Sequence, residues 1–243
     1  MDGFALVVAL AALPAAANFV GGLVSEVVDV SEKALSVALH LAAGIVFAVV
    51  GIELMPEALT GSPAWIPITA FAAGGAGFIV LEHGLGHIKE RLGAKGVRTG
   101  PLAIYSGVSL DLFSDGVMIG TGTVLNPTLG LLLALGQVPA DLPEGFAAMA
   151  SLRRNGIGRA QRLALAASFV IPTLLGAALG YLALRDAPQS ITVSILAFTG
   201  GVLISVVVEE MLSEAHEGQT SRWDPLYLTA GFALFALISV YVG

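Results

Sequence analysis

Ser109-Leu-Asp111-Leu-Phe-Ser-Asp115-Gly116 and Ala140-Asp141-Leu142-Pro143-Glu144-Gly145 decide how this chain must be read. Each lies inside a long apolar segment that otherwise resembles a plain membrane span. Together they put four carboxylates, Asp111, Asp115, Asp141 and Glu144, where hydrocarbon is expected, with no Lys or Arg inside either segment. A charge at the centre of a bilayer costs about 2.5–3.5 kcal/mol on insertion scales. Four acids without an internal counter-ion therefore call for a cation.

Composition agrees with a membrane setting. The 243 residues are 56% hydrophobic and 12% charged, half the charge of a soluble domain at about 25%, and mean hydropathy is +0.88. No polar run is long enough for a separate soluble domain. The absence of Cys removes disulfides, thiolate metal sites and iron–sulfur clusters. A net charge of −7 argues against nucleic acid as a partner. Ala15-Ala16-Ala17 looks like a signal-peptide cleavage site, but Asp2 is the sole charge ahead of the first apolar run, where a signal peptide carries Lys or Arg. A retained first span is expected.

Apolar runs of about twenty residues mark membrane spans. Eight are predicted, at 3–24, 34–59, 64–86, 101–124, 128–152, 160–184, 189–214 and 224–242, joined by short turns such as Gly61-Ser62-Pro63 and Asn126-Pro127. Ten of the eleven basic residues fall in the odd-numbered loops: Lys33, Lys89, Arg91, Lys95, Arg98, Arg153, Arg154, Arg159, Arg162 and Arg222. The even loops hold only Arg185. The positive-inside rule then puts the odd loops in the cytoplasm and both termini outside a cell (inner) membrane.

Spans two and seven echo each other. Aligned on Gly44 and Gly201, Glu53 falls with Glu210, and Glu57 with Glu214. The two spans run in opposite directions across the membrane, so they read as parts of inverted repeats, common in secondary transporters. The expected fold is all-α, one transmembrane domain over 1–243 in a 3+2+3 arrangement: a first repeat at 1–88, a central helix pair at 101–152 and a second repeat at 158–243.

Asp111 and Asp115 are four apart, and Asp141 and Glu144 three apart, so each pair shares a helix face. Pro143 lies inside the second pair and frees the carbonyl of Pro139, while Pro139 frees that of Leu135. Gly116 and Gly145 are expected to let the two central helices approach each other closely. The ligand set in these motifs is oxygen alone, which suits Mg²⁺, Ca²⁺ and Mn²⁺ and tolerates Fe²⁺. Zn²⁺ more often takes imidazole or thiolate. With no internal cation to balance four acids, metal entry is expected to release protons.

Further candidates are weaker. Glu53, Glu57, Glu209, Glu210 and Glu214 lie toward the ends of their spans, as pathway or interfacial residues. His216 and Glu217 fit a solvated helix end that is also placed to receive a departing ion. His83 and His87 are four apart, a metal-pair spacing, but Glu82 precedes the first His, so this is no H-E-x-x-H protease motif. His40 reads as a helix-end residue rather than a ligand.

These motifs resemble the ZIP (Zrt/Irt-like) family of divalent-metal transporters. Asp111-Leu112-Phe-Ser-Asp115-Gly116 stands where that family carries H-N-x-x-[DE]-G, and Ala140-Asp141-Leu142-Pro143-Glu144-Gly145 where it carries H-E-x-P-E-G. Pro56-Glu57-Ala58 matches its P-E-A, and Glu214-Ala215-His216 its E-A-H. The departures matter as much. Asp111 and Ala140 replace both characteristic histidines, Leu112 an asparagine, Val46 a methionine, and Ile171-Pro172 stands for E-P. The resemblance thus implies a prokaryotic transporter moving metal into the cytoplasm without nucleotide. It implies one well-formed site on Asp111, Asp115 and Glu144, with Asp141 left from a second, and selectivity shifted from zinc toward Mn²⁺ or Fe²⁺. It also implies that the central helices move against the outer repeats.

The expected function is therefore secondary transport of a divalent cation of the Mn, Fe or Zn class. No cofactor is expected beyond the transported ion, and the expected partners are that ion and the lipid bilayer, with a homodimer compatible. The competing readings are a carrier of protons or another ion, and a non-transporting metal sensor on the same scaffold. An enzyme is not expected, since no nucleophile–base pair is present.

Overall fold

The computed structural model describes residues 3–28, 31–60, 62–91, 101–216 and 221–242, with the side chains of 81–91, 102 and 103 outside that description. The described residues form eight helical rods: α1 (Gly3–Val27), α2 (Glu32–Ala58), α3 (Trp65–Arg91), α4 (Pro101–Leu125), α5 (Pro127–Arg154), α6 (Arg159–Leu184), α7 (Gln189–His216) and α8 (Asp224–Val242). They overlie the eight predicted spans to within a few residues, with α3 running furthest beyond its apolar run, to Arg91.

Local chemistry sets the ends. Ser31 caps α2 by accepting the Ala34 N–H at 3.2 Å, and Asn126 caps α5 by accepting that of Thr128 at 2.9 Å, with Pro127 in the first turn. Helix α5 ends at Gly156, whose φ of +78° lies in the left-handed region that favours glycine. The helix runs on through both Pro139 and Pro143.

The outside of the bundle is apolar, as its core is, and a set of polar residues is buried. Helix α6 turns Ile171, Leu175, Leu179 and Leu182 outward, while Asn18, Asp111, Asp115, Thr121, Gln137, Asp141 and Thr173 are buried. Large apolar side chains facing outward suit a hydrocarbon solvent, and ionisable residues kept to the interior of the bundle mark a functional site. Among the described residues, six helices are long and apolar enough to cross a membrane: α1, α2, α4, α6, α7 and α8. The apolar part of α3 that is described, Trp65–Val80, is shorter, and α5 carries the polar cargo of Gln137, Asp141 and Glu144.

The helices pack in reciprocal pairs. Helix α1 lies mainly on α5 and α6 on α4, while α3 lies on α7 and α8 on α2. Crossings are made backbone to backbone. A side chain at Gly116 would strike the Thr173 carbonyl, and one at Gly176 the Phe113 carbonyl. Likewise Gly145 abuts the Asn18 carbonyl and Gly21 that of Leu142. Here the structure corrects an expectation: Gly116 and Gly145 do not bring α4 and α5 together. Each seats its acid-bearing helix on an outer helix instead, α4 on α6 and α5 on α1.

Helices α2 and α7 each contain one π-helical segment, Val49–Leu54 and Val207–Met211. Such bulges insert an extra residue into a turn and are frequent at functional sites. Glu53 sits in the first and Glu210 in the second, the two positions that the sequence echo aligns.

Candidate metal site

The carboxylates of Asp111 and Asp115 on α4 and Asp141 on α5 converge, with an oxygen from each lying within 4.8 Å of the others, and all three residues are buried. Glu144, half-buried one turn beyond Asp141, is in hydrogen-bonding reach of Asp111, as Asp141 is of Asp115. One oxygen each of Asp111, Asp115 and Asp141 has no partner. Unpaired polar atoms in a dry interior are costly, and a divalent cation coordinated by oxygen would satisfy all three. Three of the four acids read from sequence, Asp111, Asp115 and Asp141, thus come together, with Glu144 one turn beyond Asp141 on the same helix.

The lesser candidates divide. Glu210 of α7 lies close enough to Glu144 to interact with it electrostatically, and its carboxylate lies beside Gly107, one turn below Asp111. It therefore neighbours the cluster. Glu53 does not join: its carboxylate accepts the Ser239 hydroxyl of α8. Among the described residues no tight ligand group includes Glu57 or Glu214. His216 lies with His40 and Asp224, away from the four acids. His83 and His87 are in α3, but their side chains fall outside the described residues.

Three positions explain the departures in the motif. Leu112 is wholly buried and packs with Val108, Ala148 and Phe169, so apolar contact replaces a ligand there. Val46 is part of the apolar core. Ile171 exposes 56% of its surface, which turns it away from the buried acids.

Sequence reasoning missed Gln137. It lies four residues before Asp141 on the same face of α5, is 2% exposed, and donates its side-chain N–H to Asp115. An uncharged amide one turn from a ligand pair in an apolar run was the available signal. Groups of this kind orient a metal ligand, and their loss typically costs about 10–100-fold in affinity. Gln137→Leu is expected to raise the metal concentration for half-maximal uptake by that factor with unchanged amounts of protein in the membrane, measured by uptake at graded metal concentrations.

Fold and site together define a multi-pass helical membrane protein that converges buried carboxylates from two helices. The family described as ZIP Zinc transporter matches residues 82–239, and the chain belongs to that family, whose members are transporters rather than enzymes. It is 32% identical over 139 residues to the Zinc transporter GufA of Myxococcus xanthus, covering 56% of this chain and 54% of that protein. It is 26% identical over 170 residues to the Zinc transporter ZIP6 of Homo sapiens, covering 66% of this chain and 22% of that protein. The match spans about half the length of the first relative and under a quarter of the second.

Proposed function

We propose that this protein is a secondary transporter that moves a divalent cation into the cytoplasm through the Asp111–Asp115–Asp141–Glu144 cluster. The observation that carries the reading is the convergence of three buried carboxylates within 4.8 Å with unpartnered oxygens. One cation fits this cluster, because Leu112 and Ile171 supply no second set of donors. The all-oxygen ligand set favours Mn²⁺ or Fe²⁺ over Zn²⁺, whatever metal gives the relatives their names.

The architecture is a 3+2+3 inverted repeat, with α1–α3 related to α6–α8 and α4 to α5. Three features support it. The pairing of α1 on α5 is mirrored by α6 on α4, and that of α3 on α7 by α8 on α2. The π-helical segments recur at equivalent places in α2 and α7. The basic residues favour odd loops in the cytoplasm and both termini outside the cell membrane. Backbone-to-backbone crossings at Gly116 and Gly145 leave no side chain interlocked there, which suits sliding of the central pair against the outer repeats.

Uptake into proteoliposomes across a panel of Mn²⁺, Fe²⁺, Co²⁺ and Zn²⁺ tests the proposal. Manganese or iron is expected to lead, with protons leaving the site as metal enters. Zinc far outranking both would overturn the selectivity. Unchanged flux with no proton movement over a wide pH range would overturn the exchange. Metal binding without uptake would favour a sensor on the same scaffold, and proton flux without metal a proton carrier.

A further inference from the structure

A second group of ligands lies outside the carboxylate cluster. His40 of α2, His216 at the end of α7 and Asp224 at the start of α8 bring one ligand atom each to within 4.8 Å of one another. The two imidazole rings are 5.0 Å apart and nearly perpendicular, at 76°. His40 is 2% exposed and Asp224 7%, while His216 faces out, so the group is walled on one side and open on the other. His40 lies inside α2, which starts at Glu32, rather than at a helix end.

Each buried member is already oriented. The Nδ1 of His40 lies 2.8 Å from the Ser36 carbonyl. A carbonyl only accepts, so Nδ1 carries the proton and Nε2 keeps its lone pair for a ligand. One oxygen of Asp224 accepts the Ser221 N–H at 2.7 Å, which leaves the other for coordination. Metal-binding histidines and carboxylates are commonly held by such partners. Packing alone would account for a ring pair or for a helix-start carboxylate; here a ring pair and a carboxylate from three helices bring ligand atoms within 4.8 Å of one another.

We infer that His40, His216 and Asp224 form a second divalent-cation site, of two imidazoles and one carboxylate. Three protein ligands leave positions open to water, and nitrogen donors suit Zn²⁺, Co²⁺ and Fe²⁺. Its chemistry differs from the all-oxygen cluster, so the two sites rank metals differently. Helix α7 joins them: Glu210 neighbours the carboxylates, and His216 follows six residues later, about 9 Å along a helix. The role of this site as the receiver of an ion leaving for the cytoplasm rests on the proposed transport and topology; its ability to bind metal does not.

The test separates the two. The full chain carrying Asp115→Asn and Glu144→Gln, purified in detergent, is titrated with Co²⁺ and read by visible absorption, then competed with Zn²⁺. One Co²⁺ is expected to bind, with the stronger bands of a low-coordinate, nitrogen-ligated ion. Adding His216→Gln, or separately His40→Gln, weakens this binding by at least about tenfold, the scale of a disrupted metal shell. His216 is exposed, so its replacement does not threaten folding. Absence of Co²⁺ binding in the Asp115→Asn, Glu144→Gln protein, or binding indifferent to both histidine changes, overturns the inference. Metal uptake by the native chain would survive that failure, and histidine-dependent Co²⁺ binding would survive a failure of uptake.

Discussion

Asp115→Asn is expected to reduce metal uptake to the level of protein-free vesicles, a loss on the order of 100-fold or more, and Glu144→Gln to come close to it. Asp115 is completely buried and central to the cluster: it shares a helix face with Asp111, lies with Asp111 and Asp141 in one ligand group, and accepts from Gln137. Losing a partner of a metal ligand costs about 10–100-fold, so losing a central ligand should cost at least the upper end. The amide keeps the volume of the carboxylate and can still offer Gln137 an oxygen, so packing is preserved while the charge is removed. Asp186→Asn is the control. That carboxylate is 88% exposed and meets Arg185 at 3.2 Å, and its loss should leave uptake unchanged. Initial rates in proteoliposomes containing equal amounts of folded protein decide the matter. Half the native rate in Asp115→Asn would mean that the ion does not pass through the carboxylates.

The long elements and the main cluster were legible in the sequence for a physical reason. Hydrocarbon enforces a length and an apolarity on each helix, and a charged residue that breaks the rule advertises itself. Asp111, Asp115, Asp141 and Glu144 all broke it, and the three aspartates converge, with Glu144 one turn beyond Asp141. Spacing along one helix told which acids shared a face. It could not tell which helix that face would meet, so Gly116 and Gly145 were assigned to the wrong partners. A glycine signals close approach, but its partner is fixed by tertiary packing. The π-helical segments in α2 and α7 were likewise unreadable, since no residue type marks an extra residue in a turn. The echo of Glu53 with Glu210 nonetheless pointed to their positions. Residue context could not reveal the neighbours of His40. A single histidine in Leu39-His40-Leu41 carries no spacing signal, because its companions, His216 and Asp224, are more than 170 residues away and come from two other helices.

Glu26 shows the same blindness with a larger energetic consequence, because Glu26→Ala is expected to destabilise the protein by about 3–5 kcal/mol, the cost of stranding one member of a buried ion pair. In the sequence Arg162 counted only as a cytoplasmic charge, and Glu26 as nothing. In the structure Arg162 donates from Nε and Nη2 to the two oxygens of Glu26 at 2.6 and 2.7 Å, with 8% and 4% of the two side chains exposed. A forked pair of this kind is strong because geometry and charge act together. It joins the end of α1 to the start of α6, the outer helices on which α5 and α4 rest. Arg159 approaches the same carboxylate at 3.5 Å but is 68% exposed, so Arg159→Ala should cost less than about 1 kcal/mol. Replacing both buried partners, as Glu26→Leu with Arg162→Leu, removes the stranded charge and should recover most of the loss. Denaturant titration in detergent of the three variants gives the answer: a small loss for Arg159→Ala, a large one for Glu26→Ala and a partial return for the leucine pair. Equal effects from Arg159→Ala and Glu26→Ala would reduce the clasp to an ordinary surface charge.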